Sequence, residues 1–245
     1  MFSDFLLRNR QLVVFFLFIG TFTHAQSGPS AWGSIFVSGP FRKQWGLHLD
    51  VQVRSTNGMD GVKGWLFRPG LHVQLNKRHW LTMGYAYVFN QTNSPGIRTY
   101  LPEHRLWQQW THLQHLGRLQ LQHRLRIEER FIGSTRYTEG AGIPTSPSYS
   151  TRFRYFNRLL IPTVSTKSFT KGAYGCIQNE VFLHLTGNNN LNGKTFDQNR
   201  AYLALGYRFN KQLDAECGYM LRNIGTTSSS VNQHTWQIAV YLRPQ

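Results

Sequence analysis

The chain has very few cysteines and, beyond its N-terminus, no long apolar run. Its 245 residues include only Cys176 and Cys217. Two cysteines are too few for a disulfide scaffold, so we expect both to be free, on opposite faces of a sheet. After residue 25 the apolar runs are only a few residues long, which predicts no transmembrane helix there. A membrane location would therefore require a β-barrel.

Negative charge is also scarce. Asp and Glu number 11 against 27 Lys and Arg, which gives a formal net charge of +16 at pH 7. Such basicity often indicates nucleic-acid binding. Here, however, the positive charge is mostly Arg placed inside strand patterns, without a Lys-rich tail. Because Arg is the cation favoured in buried bidentate pairs, we expect ion pairing inside the fold and no nucleic-acid partner.

The N-terminus has the features of an export signal. Two Arg residues precede an apolar run over 12–22, and small residues follow at the peptidase positions up to Ala25. The apolar run is shorter than the ~18 residues that a membrane anchor needs. We therefore expect a signal peptide over 1–25, cleaved near Ala25, and one mature domain over 26–245. Export also argues against nucleic acid as a partner.

The segment 118–131 shows most clearly the pattern that the rest of the chain repeats. Its even positions carry charged or amide side chains such as Arg126 and Glu128, whereas Leu, Ile and Phe fill odd positions. Only an extended strand separates two such sets onto opposite faces. A soluble sandwich would bury the apolar face in a core, whereas a membrane barrel would turn it outward and enclose the charges.

Strand patterns of this kind recur along the whole mature chain. The predicted strands are 31–39, 44–54, 65–75, 79–89, 102–114, 118–131, 150–164, 173–185, 197–209, 213–223 and 232–242. Their lengths suit tilted membrane strands better than soluble sheets, where ~5 to 6 residues are typical. Eleven strands would leave the chain ends on opposite sides, whereas bacterial barrels have even strand numbers. We therefore predict ten strands, if 31–39 does not span, or twelve, if one is missed.

The predicted connections alternate between short and long. Tight turns at 76–78, 116–117 and 210–212 alternate with longer polar stretches at 90–101, 132–149 and 224–231. This asymmetry is typical of an outer-membrane barrel whose short turns are periplasmic. The predicted fold class is therefore all-β: a single antiparallel transmembrane β-barrel of 10 to 12 strands, in the cell outer membrane. Outer-membrane lipid and the barrel assembly machinery would be its partners.

Side-chain parity predicts which face meets lipid. Odd positions carry the apolar face in most strands, and the parity switches in the last strand, where Trp236 and Ile238 are expected to face outward. Aromatic residues lie at segment ends, where an interfacial girdle would place them. They are Trp45, Trp65, Tyr207, Phe209 and Trp236.

The opposite face carries too many charges for a dry core. We count twelve Arg and six carboxylates on it. The predicted interior ion-pair network is Asp50, Arg54, Glu103, Arg105, Arg124, Arg126, Glu128, Arg130, Arg152, Arg154, Arg158, Glu180, Arg208 and Glu216. The surplus of positive charge would attract small anions if the bore is open. Long Arg side chains in a barrel of this size would also suffice to close it. A structural barrel and a narrow anion-preferring pore are both compatible with the sequence.

Three sequence blocks carry a resemblance to a known family. They are Glu103-His104-Arg105-Leu106-Trp107-Gln108-Gln109, Arg124-Leu125-Arg126-Ile127-Glu128-Glu129-Arg130-Phe131 and Arg152-Phe153-Arg154-Tyr155. In this order they resemble the domain of unknown function 2490 family of exported Gram-negative barrel proteins. The resemblance covers nearly the whole mature chain. The resemblance implies an outer-membrane location. It says nothing about chemistry, since the family has no assigned activity.

An enzyme site would require residue patterns that can be looked for in the sequence. A barrel enzyme acting on lipid would need a Ser–His pair, yet His72 and His184 have no Ser two residues away. A glycosidase would use Glu128 with Glu180 or Glu103, but neighbouring Arg side chains stabilise carboxylates in the charged form. The ten His residues lack a ligand spacing, so no metal or cofactor is expected. The sequence leaves two alternatives open: a barrel enzyme acting on lipid or glycan, and a soluble periplasmic β-sandwich binding protein.

Overall fold

The protein consists almost entirely of β-strands. The computed structural model describes residues 28–94, 97–138, 141–164 and 169–244, and the predicted signal peptide lies outside them. The elements are β1 Ser30–Arg42, β2 Trp45–Ser55, β3 Val62–Asn76, β4 His79–Ser94, β5 Ile97–Leu116, β6 Leu119–Thr138, β7 Ala141–Pro162, β8 Gly172–Thr186, a 3-10 turn Asn188–Asn190, β9 Phe196–Arg208, β10 Leu213–Gly225 and β11 Ser230–Leu242. The described residues include no helix with the length and apolarity that crossing a membrane would require.

The eleven strands close into one barrel. Consecutive strands pair antiparallel all the way round. The barrel closes where β1 and β11 pair in parallel, from Ser30 opposite Thr235 to Val37 opposite Leu242. With an odd strand number the first and last strands run in the same direction, so this seam has to be parallel. The predicted barrel of ten to twelve strands is confirmed, and closure excludes the sandwich alternative.

The first predicted segment, 31–39, is a full member of the barrel. It lies within β1, which pairs with β2 on one side and β11 on the other. The barrel therefore has eleven strands, between the predicted counts of ten and twelve. All eleven predicted segments correspond to strands of the structure.

The two ends of the barrel differ in their connections. We call the end that holds the turns 43–44, 77–78, 117–118 and 209–212 the short-turn rim. The connection between β7 and β8, 163–171, also lies there and is the longest at this end. The opposite end, the hairpin rim, holds the remaining connections, including the β4–β5 and β6–β7 hairpins.

The long loops predicted at 90–101 and 132–149 are mostly strand. The β4–β5 pairing continues to Ser94 opposite Ile97, and the β6–β7 pairing continues to Thr138 opposite Ala141. The Ser, Thr, Asn and Gly content of these two segments is typical of loops. Backbone hydrogen bonding between two antiparallel arms does not require apolar side chains, so these polar stretches still pair.

The predicted inside and outside faces are confirmed. Leu203 and Leu205 are exposed on the outer face of β9, whereas Arg208 and its even-numbered neighbours face the interior. In β11 the parity is reversed as predicted, with Trp236 outward and Gln237 inward. Both cysteines are free, with Cys176 buried and Cys217 exposed. The barrel therefore carries apolar side chains outside and most of its charge inside.

Candidate functional site

Glu128, in the middle of β6, is the centre of the interior. Its carboxylate accepts hydrogen bonds from Arg152 Nη2 at 2.6 Å and from Arg154 Nη1 at 2.5 Å. Three more guanidiniums lie within ion-pair distance, from Arg126 at 3.5 Å and from Arg68 and Arg105 at 3.8 Å each. The side chain is completely buried. One carboxylate thus holds together five guanidiniums contributed by β3, β5, β6 and β7.

A second carboxylate anchors the network on the hairpin-rim side of Glu128. Glu103 is held bidentately by Arg105, whose Nε and Nη2 donate at 2.8 and 2.9 Å. Arg130 Nε donates to the same Oε1 at 2.5 Å. Fork-shaped contacts of this kind are the strongest that a guanidinium makes. Because Arg105 also approaches Glu128, the two carboxylates belong to one network.

A third carboxylate, Glu180 of β8, links to the centre through Arg154. The Arg154 guanidinium donates to Glu180 Oε1 from Nε at 3.0 Å and from Nη2 at 2.7 Å, while its Nη1 binds Glu128. Arg124 completes the site at 2.7 Å from Glu180 Oε1. A guanidinium therefore lies between each pair of neighbouring carboxylates.

The remaining predicted carboxylates form smaller pairs inside the barrel. Asp50 accepts from Arg68 Nη1 at 2.9 Å. Glu216 accepts from Arg158 Nη2 at 2.6 Å. Two further guanidiniums share Asp214 at the short-turn rim: Arg208 donates at 2.9 and 3.0 Å, and Arg243 also contacts it. All of the predicted network residues lie in the interior.

Asp197 belongs to this network and sequence reasoning did not find it. Simple alternation along β9 places it outward, but the β8–β9 register shifts between Phe182 and Leu183, so that Asp197 is the extra residue of a β-bulge. A β-bulge changes the face of the sheet to which a side chain points. Asp197 consequently accepts from Arg152 Nη1 at 2.8 Å. Nothing in the local alternation marks the bulge.

Aromatic rings pack between the guanidiniums. Arg126 lies 4.7 Å from the ring centroid of Trp107, Arg154 lies 4.4 Å from that of Phe182, and Arg124 lies 4.0 Å from that of Phe156. Each such contact is favourable and excludes water from one face of the guanidinium. These rings occupy inward positions in the same alternation as the charges.

Trp107 fits into the wall because glycines make room for it. The indole lies over Gly70 and Gly84, which face each other on β3 and β4. A Cβ at either position would come within 2.7 Å of the indole. The absence of side chains there leaves room for the indole of Trp107, which lies directly beside Arg126.

Two cavities flank the network. The larger, about 500 Å³, opens toward the short-turn rim, and the smaller, about 200 Å³, lies toward the hairpin rim. Gln52, Arg68, Arg154 and Arg200 line both. The belt of ion pairs around Glu128 therefore lies between the two cavities.

The geometry does not assemble the enzyme sites considered from the sequence. Arg154 separates Glu128 from Glu180, and Arg105 separates Glu128 from Glu103, so each carboxylate is held in its charged form rather than as a proton donor. Within the described ranges no serine hydroxyl is hydrogen-bonded to a histidine ring, and no cluster of His, Cys, Asp or Glu has the arrangement of a metal site.

Comparison with known proteins identifies a family for this chain. Residues 30–233 match the family model described as protein of unknown function DUF2490. A search of curated proteins finds no match to the chain. The matched region extends from the first residue of β1 into β11, and it includes every strand that contributes to the Glu128 network. The chain therefore belongs to the DUF2490 family.

Proposed function

We propose that this protein is an outer-membrane β-barrel whose interior ion-pair network keeps the bore shut, so that its role is structural rather than that of an open pore. The observation that carries the proposal is the inverted polarity of the barrel. Leu205 is 78% and Ile238 63% exposed, whereas Glu128 is 0% and Arg126 1% exposed. Water on both sides would favour the opposite arrangement.

The exposed apolar residues form a continuous surface rather than isolated positions. Cys217 lies between Leu205 of β9 and Ile238 of β11, and all three face outward. The same arrangement continues on β2 and β3, where exposed Leu47 is opposite exposed Leu71. Soluble monomers rarely leave apolar patches of more than a few hundred Å² uncovered. An apolar band of this kind is suited to contact with the hydrocarbon core of a membrane.

The burial at the centre of the barrel supports the proposed closure of the bore. A conducting lumen of this size would leave its lining side chains in water. Glu128 and Arg126 are instead buried by one another, by Trp107 and by the surrounding guanidiniums. A narrow anion-preferring pore is the second candidate, because interior Arg residues outnumber interior carboxylates and a cavity lies on each side of the belt.

The proposal includes a route to the membrane. The signal peptide over 1–25 would direct export, and the barrel assembly machinery would insert the mature chain. The short-turn rim would face the periplasm, as short turns do in outer-membrane barrels.

The two native cysteines test the membrane location. In protein refolded into lipid vesicles, a neutral lipophilic maleimide should label Cys217, while a charged thiol reagent should react at least tenfold more slowly than with the unfolded chain. The reason is that Cys217 lies in the apolar band, while Cys176 is buried. Cys217→Ala should abolish labelling and the matched Cys176→Ala should retain it. Fast reaction of Cys217 with the charged reagent would place the outer face in water and contradict the proposal.

Conductance in a planar lipid bilayer tests the closed bore. The protein should produce no unitary current steps, because in this proposal the Glu128 belt closes the bore. Maleimide labelling of Cys217 in the same preparation serves as the control for insertion. Reproducible steps with an anion-selective reversal potential would instead support the pore and refute closure.

A further inference from the structure

Three interior guanidiniums have no carboxylate partner. Nine of the twelve interior Arg residues lie within 4 Å of a carboxylate oxygen. In the described part of the chain the exceptions are Arg54, Arg200 and Arg222. Each donates instead to a glutamine oxygen: Arg54 to Gln52 at 2.8 Å, Arg200 to Gln198 at 3.2 Å, and Arg222 to Gln233 at 2.6 Å. A neutral amide satisfies a donor but does not balance the charge.

The three unpaired guanidiniums are also neighbours. They surround the indole of Trp32, with guanidinium carbons 4.3 Å (Arg54), 4.7 Å (Arg222) and 5.1 Å (Arg200) from the ring centroid. Like charges gathered this closely repel one another. Contact with an aromatic face is favourable for each guanidinium, but it supplies no counter-charge to the three buried like charges.

The guanidiniums have unused donors beside a cavity. The Nε atoms of Arg54 and Arg222 are buried and have no hydrogen-bond partner among the described residues. Both residues, with Arg200, line the smaller cavity. Its volume is about 200 Å³. Eight Arg side chains but only two carboxylates, Glu103 and Asp197, line this space.

We propose that the smaller cavity is a binding site for a small oxyanion of the phosphate type, held by Arg54, Arg200 and Arg222. A tetrahedral dianion offers several oxygen acceptors at once, which matches the fork of N–H donors on a guanidinium. A monovalent halide would balance only one of the three charges. The nearby carboxylates Glu103 and Asp197 form their ion pairs with Arg130 and Arg152 rather than with this cluster. The proposal is independent of whether the bore conducts.

Calorimetric titration of the detergent-solubilised mature protein with inorganic phosphate at low ionic strength and pH 8 tests this site. Phosphate should bind with one site per chain, and chloride at equal ionic strength should not reproduce the heat. Arg54→Gln and Arg222→Gln should each weaken phosphate binding at least tenfold. The matched control Arg118→Gln removes an exposed Arg at the opposite, short-turn rim and should leave the affinity within twofold.

Thermal unfolding separates loss of the ligand from loss of the fold. Without phosphate, Arg54→Gln should unfold at the same temperature as the wild type or higher, because one repelling charge is gone. Phosphate should raise the unfolding temperature of the wild type and of Arg118→Gln, but not of Arg54→Gln. Absence of phosphate binding to the folded wild type, or equal binding to all variants, would overturn the proposal.

Discussion

Replacing Glu128 with Ala is expected to lower the free energy of unfolding by about 3–5 kcal/mol, the cost of removing one partner from a buried ion pair. The substitution leaves five guanidiniums around a site with no carboxylate, since Arg68, Arg105, Arg126, Arg152 and Arg154 all lie within 4 Å of Glu128. Urea denaturation in detergent micelles or vesicles, followed by tryptophan fluorescence, measures the change.

The adjacent residue provides a matched control for Glu128. Glu129 lies next to it in β6 but faces outward, so Glu129→Gln removes the same charge without touching the network. We expect that control to lower the free energy of unfolding by no more than about 0.5 kcal/mol, because it breaks no interior ion pair. Glu128→Gln keeps the shape of the side chain, so its free energy of unfolding should lie between those of Glu128→Ala and Glu129→Gln. Equal stability of Glu128→Ala and Glu129→Gln would show that the interior network does not hold the barrel together.

Replacing Leu205 with Arg should destabilise the membrane-embedded barrel, because an Arg on the lipid-facing side of a barrel costs up to about 2–4 kcal/mol, depending on its depth. Leu205 is the most exposed of the large apolar side chains. In a water-soluble barrel the same substitution would be nearly neutral and would improve solubility. Urea unfolding of the protein in lipid vesicles distinguishes the two cases.

Gln212→Arg is the control for Leu205→Arg, because Gln212 lies in the exposed turn between β9 and β10. It adds the same charge to the same hairpin outside the apolar band. We expect no measurable loss of stability from it. If Leu205→Arg were as stable as Gln212→Arg, or if it remained folded in solution without detergent, the outer face would not be in contact with lipid.

The fold was largely predictable because alternation fixes it. In 118–131 the period of two leaves only one backbone conformation that separates Leu and Ile from Arg and Glu. The same periodicity identified all eleven strands and the reversed parity of β11. This alternation can be recognised without knowing which strands pair, because it depends on the sequence of one strand at a time.

Features that depend on two strands were not predictable. The bulge that turns Asp197 inward is a mismatch between β8 and β9, and neither sequence shows it alone. The extension of the β4–β5 and β6–β7 hairpins through polar residues rests on backbone pairing between two arms. Alternation likewise placed Arg54 in the interior but could not show that its neighbours there are Arg200 and Arg222 rather than a carboxylate.

The parallel seam between β1 and β11 has a consequence for how the chain folds. Every other pairing joins consecutive strands, so the sheet can grow hairpin by hairpin from local contacts, which form quickly. Ser30 and Thr235, by contrast, meet only after almost the whole chain has been ordered between them. Until then both outer strands present unpaired backbone edges, which invite pairing with other chains. Closing the seam is therefore the step at which this barrel either completes itself or aggregates.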